Sequence, residues 1–309
     1  LFSKNNMKNL KEVTAVILTY KTPKKIIFNC LKSIDKKINT SVIENSREFE
    51  HKDFIKKKFP KVKIYCTGEN LGYGKGNNFG LVKAKTDFAL ILNPDTVCEK
   101  NFFKNLSQIL TKKINFDIIG CQYSKDKVFM PAGFFEPKKN ENFKKKYLNK
   151  MPKKLLKVEW VTGCSMLVNL KKFKNKNIFD KKYFLYFEEF DLCKNIIKNG
   201  GSIYTSKKLR INHLGFQSSM GNNQDEKIDA NNIKNWHWMW SWFYFYKKNY
   251  SFFHAFFKLS GKLIKSFIKS IFYFLTLQEN KKNKYLYRFL GLLNSMIGKP
   301  AFYKGKKSI

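Results

Sequence analysis

The stretch VTAVILTYKTPKKIIFNCLKSI, residues 13–34, decides the class of fold. Its first eight residues form an apolar, β-branched run, the pattern of a strand buried on both faces. Thr22-Pro23 then supplies a cap and first-turn pair, and Ile26, Ile27, Cys30, Leu31 and Ile34 recur at helical spacing. Working outward, further strand candidates lie at 41–44, 62–66 and 88–92. They end at Asn45-Ser46, at a glycine-rich loop GENLGYGKGNN (68–78) that leads into a helix, and at Asn93-Pro94-Asp95-Thr96. Strands alternating with helices predict an α/β fold with a mostly parallel central sheet and helices on both faces. Ligands of such sheets bind beyond the carboxyl ends of the strands, so Asn45, Asn70, Gly72 and Asp95 are expected to share one crevice.

The second half has a different pattern. Residues 158–168 (VEWVTGCSMLV) read as one strand, and the aromatic run 183–187 leads into Glu188-Glu189-Phe190-Asp191, which opens a helix that stops at Gly200-Gly201. Strand candidates follow at 202–205 and 209–213. From Trp236 the chain turns aromatic and lysine-rich, which predicts an α/β domain over 1–235 and a helical C-terminal region over 236–309. Trp236, Trp238, Trp240 and Trp242 alternate with period two, yet Phe243 to Tyr246 are aromatic without a break, so strand and buried helix stay open there.

Of 309 residues, 43% are apolar and 17% aromatic, enough for a sizeable core and incompatible with wholesale disorder. The net charge of +38 suggests nucleic acid or an anionic membrane. Only Arg47, Arg210 and Arg288 are arginines, however, leaving 58 lysines among the 61 basic residues. Arginine makes the bidentate contacts to bases and phosphates, so its scarcity argues against nucleic acid. The six cysteines are scattered singly, with no Cys-x-x-Cys, which argues against structural zinc and fits a reducing cytoplasm. Residues 1–11 are polar and lysine-rich and do not read as a signal peptide, and no uncharged apolar run reaches the length expected of a spanning helix.

Four features could carry chemistry. The glycine-rich segment misses the dinucleotide spacing because position 79 is Phe79, and it lacks the Walker Gly-Lys-Ser/Thr. It is a flexible loop or a close backbone approach to a ligand, with Asn70, Asn77 and Asn78 offering amides. Asp95 is a turn residue or a carboxylate delivered to a hard divalent cation. Glu188, Glu189 and Asp191 complement a helix N-terminus or, beside apolar surface, have raised pKa values suited to general base work. His213 ends a strand candidate and is structural or completes a metal site.

Together the segments VTAVILTYKT (13–22), VIENS (42–46), GENLGYGKGNNFGL (68–81), LILNPDT (90–96), VEWVTGCSMLV (158–168), FLYFEEFDLC (184–193) and INHLGFQSS (211–219) resemble the inverting family-2 glycosyltransferases of GT-A fold, and among them the rhamnosyltransferase-like branch. The resemblance implies an inverting hexosyltransferase. It would move a sugar from a nucleoside diphosphate-sugar, dTDP-rhamnose or a UDP-sugar, to a growing, lipid-linked bacterial surface glycan. It places Thr19 and Tyr20 in the nucleotide pocket. Glu44 stands where the family has an aspartate for the pyrimidine. Asn70 and the segment from Gly72 through Gly76 to Asn77 and Asn78 would pack around nucleotide and ribose. Asp95 would hold Mg²⁺ or Mn²⁺ on the diphosphate, with His213 as a further ligand. Glu189 would be the general base, beside Glu188 and Asp191, and Trp160 and Gly163 would border donor sugar and acceptor. The alternatives are a basic nucleic-acid or anionic-polymer binding protein and a sugar nucleotidyltransferase. Against the latter, Thr-Tyr-Lys-Thr-Pro (19–23) follows the first strand where a basic glycine-rich loop would stand.

Residues 236–309 carry fourteen basic residues against the single acid Glu279, a net of +13. Lys258, Lys262, Lys265 and Lys269 fall within about a 60° arc of a helix whose remaining surface is apolar. This pattern predicts either a helix in a membrane interface, peripheral on the cytoplasmic face of the inner membrane, or one packed on the catalytic domain.

Overall fold

The computed structural model describes residues 5–123, 131–147, 155–213 and 224–305. A 3-10 turn leads into β1 (Val13–Thr19), followed by α1 (Lys24–Lys32), β2 (Asn39–Glu44), α2 (Lys52–Lys58), β3 (Lys63–Cys66), α3 (Tyr73–Lys83) and β4 (Phe88–Leu92). Next come β5 (Thr96–Cys98), α4 (Phe102–Thr111), β6 (Ile118–Tyr123), β7 (Ala132–Gly133), α5 (Pro137–Tyr147), β8 (Leu156–Val158), β9 (Trp160–Val161) and β10 (Ser165–Asn169). The chain closes with α6 (Glu188–Lys198), β11 (Ile203–His213), α7 (Gln224–Asn249), α8 (Phe252–Leu275) and α9 (Glu279–Met296).

The sheet has nine strands in the order β3-β2-β1-β4-β10-β6-β11-β5, with β8 added against β11. Its first four strands are parallel, as the alternation of strand and helix predicts. The rest is mixed, because β10 enters antiparallel between β4 and β6, and β5 and β8 both run antiparallel to β11. β1 is the centre of the core. Val13, Ala15 and Ile17 are fully buried and join Val42, Leu90, Leu92, Leu106, Ile119 and Leu167 in one cluster. Each fully buried Ile or Leu of this kind contributes about 1.5–3 kcal/mol.

Register carries this core into function. Thr19 pairs with Glu44, Glu44 with Cys66, and Ile17 with Leu92. Four parallel strands therefore end along one edge, and the segments carrying Asn45 and Asp95 leave from it.

Three local readings change. Residues 158–168 are not one strand, since the turn at Thr162-Gly163-Cys164 separates β9 from β10. Residues 203–213 are one strand with a register shift between Thr205 and Arg210, not two. The glycine-rich segment is half helix: α3 starts at Tyr73, so Gly76, Asn77 and Asn78 lie on a helix. A Cβ at Gly76 would come within 2.6 Å of Leu18 and 3.4 Å of Asn45, so this glycine lets α3 seat closely on β1 and β2.

The described residues fall in two compact units. One is built from Leu1–Leu71, Lys75–Phe179 and Leu192–Ser218, the other from Gly72–Gly74, Asp180–Asp191 and Ser219–Ile309. The division expected at 235/236 falls inside α7. The tryptophans at 236–242 are helical, with Trp236 stacked on Trp240 and Trp238 edge-on to Trp242.

Candidate active site

In the first unit the carboxyl edge of β1, β2 and β4 gathers polar side chains that the core would otherwise exclude. Thr19 is buried and its hydroxyl has no partner among the described residues, while Tyr20 is half-buried. Glu44 is 1% exposed. Its Oε1 accepts the Lys21 backbone N–H at 3.2 Å, and its Oε2 has no described partner. Burial pushes this carboxyl above the ordinary range, against the opposing pull of Ser46 and of the Lys21 amide and charge. Asn45 ties this edge to the glycine-rich segment: its Nδ2 donates to Asn70 Oδ1 at 3.0 Å, and its Oδ1 accepts the Leu71 N–H at 3.0 Å. Asn77 is buried on α3. Asn78 uses its amide on the backbone of Phe179, donating to the carbonyl at 2.8 Å and accepting the N–H at 3.0 Å. That pair of bonds makes Asn78 a clasp between α3 and a distant loop.

Asp95 lies beyond β4, in a turn fixed by bonds from Asn93 N–H to Cys164 O and from Thr96 N–H to Asn93 O. It is 1% exposed, and neither carboxylate oxygen has an aligned hydrogen-bond donor among the described residues. His213 Nε2 stands 3.3 Å from its Oδ1, near enough for an ion pair although not aligned as a hydrogen bond. The imidazole is placed by β-pairing, because His213 lies opposite Thr96 in the β11–β5 register, and its ring stacks 5.8 Å from Tyr123. A buried, unsatisfied carboxylate costs several kcal/mol unless a cation or donor completes it. One carboxylate and one imidazole, with phosphate oxygens to fill the sphere, suit Mg²⁺ or Mn²⁺. No cluster of three or more His, Cys, Asp or Glu occurs among the described residues. Residues 214–219 of the INHLGFQSS segment lie outside the described residues. Trp160 sits in the small β7–β9 sheet with its indole N–H donating to Phe134 O at 3.1 Å, and Gly163 lies in the β9–β10 turn.

The second unit holds the acid cluster. Gly72 adopts φ +79°, and a Cβ there would lie 2.2 Å from the Phe184 carbonyl oxygen, which itself accepts the Tyr73 N–H at 2.8 Å. Only glycine permits that approach, and it brings the glycine-rich segment against the run that precedes the acids. Tyr186 and Phe187 both adopt left-handed φ, 71° and 68°, a cost on the order of 1–3 kcal/mol each. Aromatic packing offsets it: Tyr186 meets Trp238 at 5.2 Å, Phe187 meets Trp238 and Phe245 at 5.4 and 5.5 Å, and Ser241 donates to Leu185 O.

From this strained entry the three acids have separate environments. Glu188 is 1% exposed, and its Oε1 has no described partner. Burial first, and then the charges of Glu189 and Asp191, push its carboxyl well above the ordinary range. Asp191 is engaged at both oxygens, by Lys248 Nζ at 2.6 Å and Asn249 Nδ2 at 3.0 Å. Glu189 is half-buried. The lysine also reaches Asp180 at 2.7 Å, forming a two-acid clamp from the end of α7 that nothing in the sequence announces.

Replacing Lys248 by methionine is expected to destabilise the protein by about 2 kcal/mol, the scale of hydrogen bonds to charged groups. Burial raises the Asp180 carboxyl, but Lys248, the Lys182 amide and Tyr244 outweigh it and hold the group below its usual value. Its contribution is therefore present above the unfolded pKa of about 3.9 and is lost as pH falls through the lower folded value. Lys248, opposed by burial but raised by both acids, contributes below about 10.4 and loses this above. The melting temperatures of wild type and Lys248→Met should differ by a constant few degrees from about pH 5 to 9, and the gap should close below about pH 4. A gap that persists in acid would refute the clamp.

An amide-lined cavity of about 620 Å³ between α7 and α9, bordered by Asn231, Asn232, Asn235, Asn280 and Asn283, contains none of the residues singled out from the sequence.

Comparison with known proteins adds three findings. A family model described as Glycosyl transferase family 2 matches residues 14–175. The rhamnosyltransferase WbbL of Escherichia coli (strain K12) is 25% identical over 146 residues, which cover 42% of this chain and 55% of that protein, so the match spans about half of the relative's length. Among solved structures, GalNAc-T7 with UDP, GalNAc and Mn²⁺ superposes with a TM-score of 0.51 at 13% identity, covering 84% of this chain and 58% of that one. Staphylococcus aureus TarS, residues 1–349, gives 0.50 at 12% identity, covering 93% and 92%. Both share the fold.

Proposed function

The chain belongs to glycosyl transferase family 2, and from that premise we propose that it is a metal-dependent, inverting hexosyltransferase. In this reading the donor is a nucleoside diphosphate-sugar, dTDP-rhamnose or a UDP-sugar. The acceptor is a hydroxyl of a lipid-linked bacterial surface glycan, presented on the cytoplasmic face of an anionic membrane that the C-terminal region touches. The observation that carries the reading is Asp95: a buried carboxylate at the carboxyl end of a parallel strand, without an aligned donor among the described residues and with an imidazole at 3.3 Å. GalNAc-T7, a protein of the same fold, was solved with UDP and Mn²⁺, and WbbL is a rhamnosyltransferase, which favours a sugar nucleotide and a divalent cation here.

The chain's own residues divide the work. Asp95 and His213 would hold the cation, which when bound neutralises charge on the departing diphosphate. Glu44 Oε2 is available to a base N–H, and Thr19, Tyr20, Asn70, Gly76 and Asn77 would shape the nucleotide pocket. Trp160 and Gly163 would border the donor sugar. Glu189 takes the proton of the acceptor hydroxyl as its oxygen bonds to the anomeric carbon. The bond from that carbon to the diphosphate breaks on the opposite face, so configuration inverts. Family membership displaces the nucleic-acid and nucleotidyltransferase alternatives.

The test is nucleoside diphosphate release with Mn²⁺ across dTDP-, UDP- and GDP-sugars. Release from one donor, at least tenfold above that from the others and dependent on the metal, is the expected result. Absence of release from every donor, together with no metal-dependent binding of the free nucleotides, would overturn the assignment.

A further inference from the structure

Helix α8 is packed the reverse of a water-facing helix. Its buried residues are Ala255, Leu259, Ser266 and Ser270, small for the most part, on the side that meets α7 and α9. There Ala255 and Leu259 join Met239, Phe243 and Leu292. The large apolar side chains are exposed instead, with Phe257 at 75%, Leu275 at 71% and Phe253 at 69%. At 100° per residue these three and Ile264, Ile268 and Ile271 fall in an arc of about 60° opposite the buried seam, with no charged residue among them. The lysines form a separate stripe along one flank. Lys258, Lys262 and Lys269 lie over the rings of Tyr246, Trp242 and Tyr285 at 4.9–5.0 Å, and Lys265 is exposed. No acid occurs in α8, and the exposed Leu277 with Lys281 continues the pattern past its end.

A water-facing helix buries its large apolar side chains and exposes its small polar ones. The reversal calls for an apolar cover, and charge complementarity selects it. A second copy of the chain would set lysine stripe against lysine stripe within a region of net +13. An anionic lipid surface takes the apolar arc and the lysines together. No described helix is long and apolar enough to cross a membrane, which leaves α8 lying along the interface.

We propose that α8 docks flat in the headgroup boundary of an anionic leaflet, with Phe253, Phe257, Ile264, Ile268, Ile271 and Leu275 turned into the acyl region. This rests on the reading that transfer takes place at a membrane. It also specifies where the lipid-borne acceptor arrives: Trp242, beneath Lys262, is one turn from Trp238, which packs on the Tyr186-Phe187 entry to the acids.

Full-length protein should co-sediment with vesicles of phosphatidylglycerol and phosphatidylcholine, and much less with phosphatidylcholine alone. The variant Phe257→Ser/Ile268→Ser/Leu275→Ser alters exposed positions and should fold with an unchanged melting temperature. It should bind about 10²-fold more weakly, at roughly tenfold or less per side chain removed from lipid. Lys265→Gln should cost about fivefold on anionic vesicles only. Wild-type protein that stays in the supernatant, or a triple variant that binds as tightly as wild type, overturns the proposal. So does a wild-type dimer in sedimentation equilibrium that the triple variant dissolves while vesicle binding is absent. Vesicle binding is read without donor or acceptor, so its failure is distinct from a failure of the transferase assignment, which is read by nucleotide release in solution.

Discussion

Glutamine in place of Glu189 is expected to lower turnover by about 10²–10⁴ while leaving donor affinity within a factor of about two, the range for loss of a general base. The argument is one of elimination among three neighbours. Asp191 has both oxygens occupied by Lys248 and Asn249, so its charge is committed to holding α7. Glu188 is 1% exposed, which keeps an acceptor hydroxyl from its oxygens, and burial together with the charges of Glu189 and Asp191 disfavours its ionised form. Glu189 combines partial exposure with a place on the first turn of α6, where the helix dipole favours the charged form. The isostere Glu188→Gln is the control, because a side chain buried away from the acceptor loses little of the chemistry on conversion to an amide. It should retain turnover within about tenfold. Single-turnover rates with saturating donor decide the matter: near-normal chemistry in Glu189→Gln with a collapse in Glu188→Gln would exchange the two roles.

Asp95→Ala should abolish metal-dependent donor binding, the largest effect expected of any single substitution here. The carboxylate sits 1% exposed, with an unaligned imidazole beside it and no aligned donor among the described residues. Removing a buried, incompletely satisfied charge relieves a desolvation cost, so the variant should melt no lower than wild type in the absence of metal. The two readouts must separate: calorimetric titration of nucleoside diphosphate should lose its Mn²⁺ dependence while thermal stability is kept. Unchanged Mn²⁺-dependent binding would sink the assignment of Asp95, and a large fall in melting temperature would make its role structural. His213→Ala should weaken metal-dependent binding by a smaller factor, about tenfold, because phosphate oxygens and solvent can take the place of one neutral ligand.

The centre of the parallel half was legible because β1 and β4 are buried on both faces, so each reads as a nearly unbroken apolar run with turn chemistry at its end. Asp95 and Glu44 fall where that reading puts them, at strand ends on one edge. Less local features escaped. The insertion of β10 between β4 and β6 depends on pairing between segments some fifty to eighty residues apart, and no periodicity records it. The glycines of 72–76 suggest a loop, whereas Gly76 is there for close seating of a helix. The period-two tryptophans did not separate strand from helix because opposite faces of α7 both meet partners: Trp236 and Trp240 stack together on one side while Trp238 and Trp242 contact Phe187 on the other. Lys248 was invisible for a simpler reason. In a chain with 58 lysines, nothing local distinguishes the one that closes on two acids.

The clamp has a consequence for heritable change in this chain. The C-terminal half of α7 is at once the source of the counter-ion of Asp191, at Lys248, and the seat, through Met239 and Phe243, of the helix that follows. Stop codons and frameshifts that delete α8 and α9 would therefore uncover an apolar face on α7 and loosen the segment that carries the acids. They would behave as null alleles even in an assay that uses a soluble acceptor. Missense changes on the outer arc of α8 would be conditional instead, silent with soluble acceptors and deficient with acceptors in a bilayer. Allelic series across residues 236–305 should thus divide into two phenotypes by exposure, and that division can be read without purifying the protein.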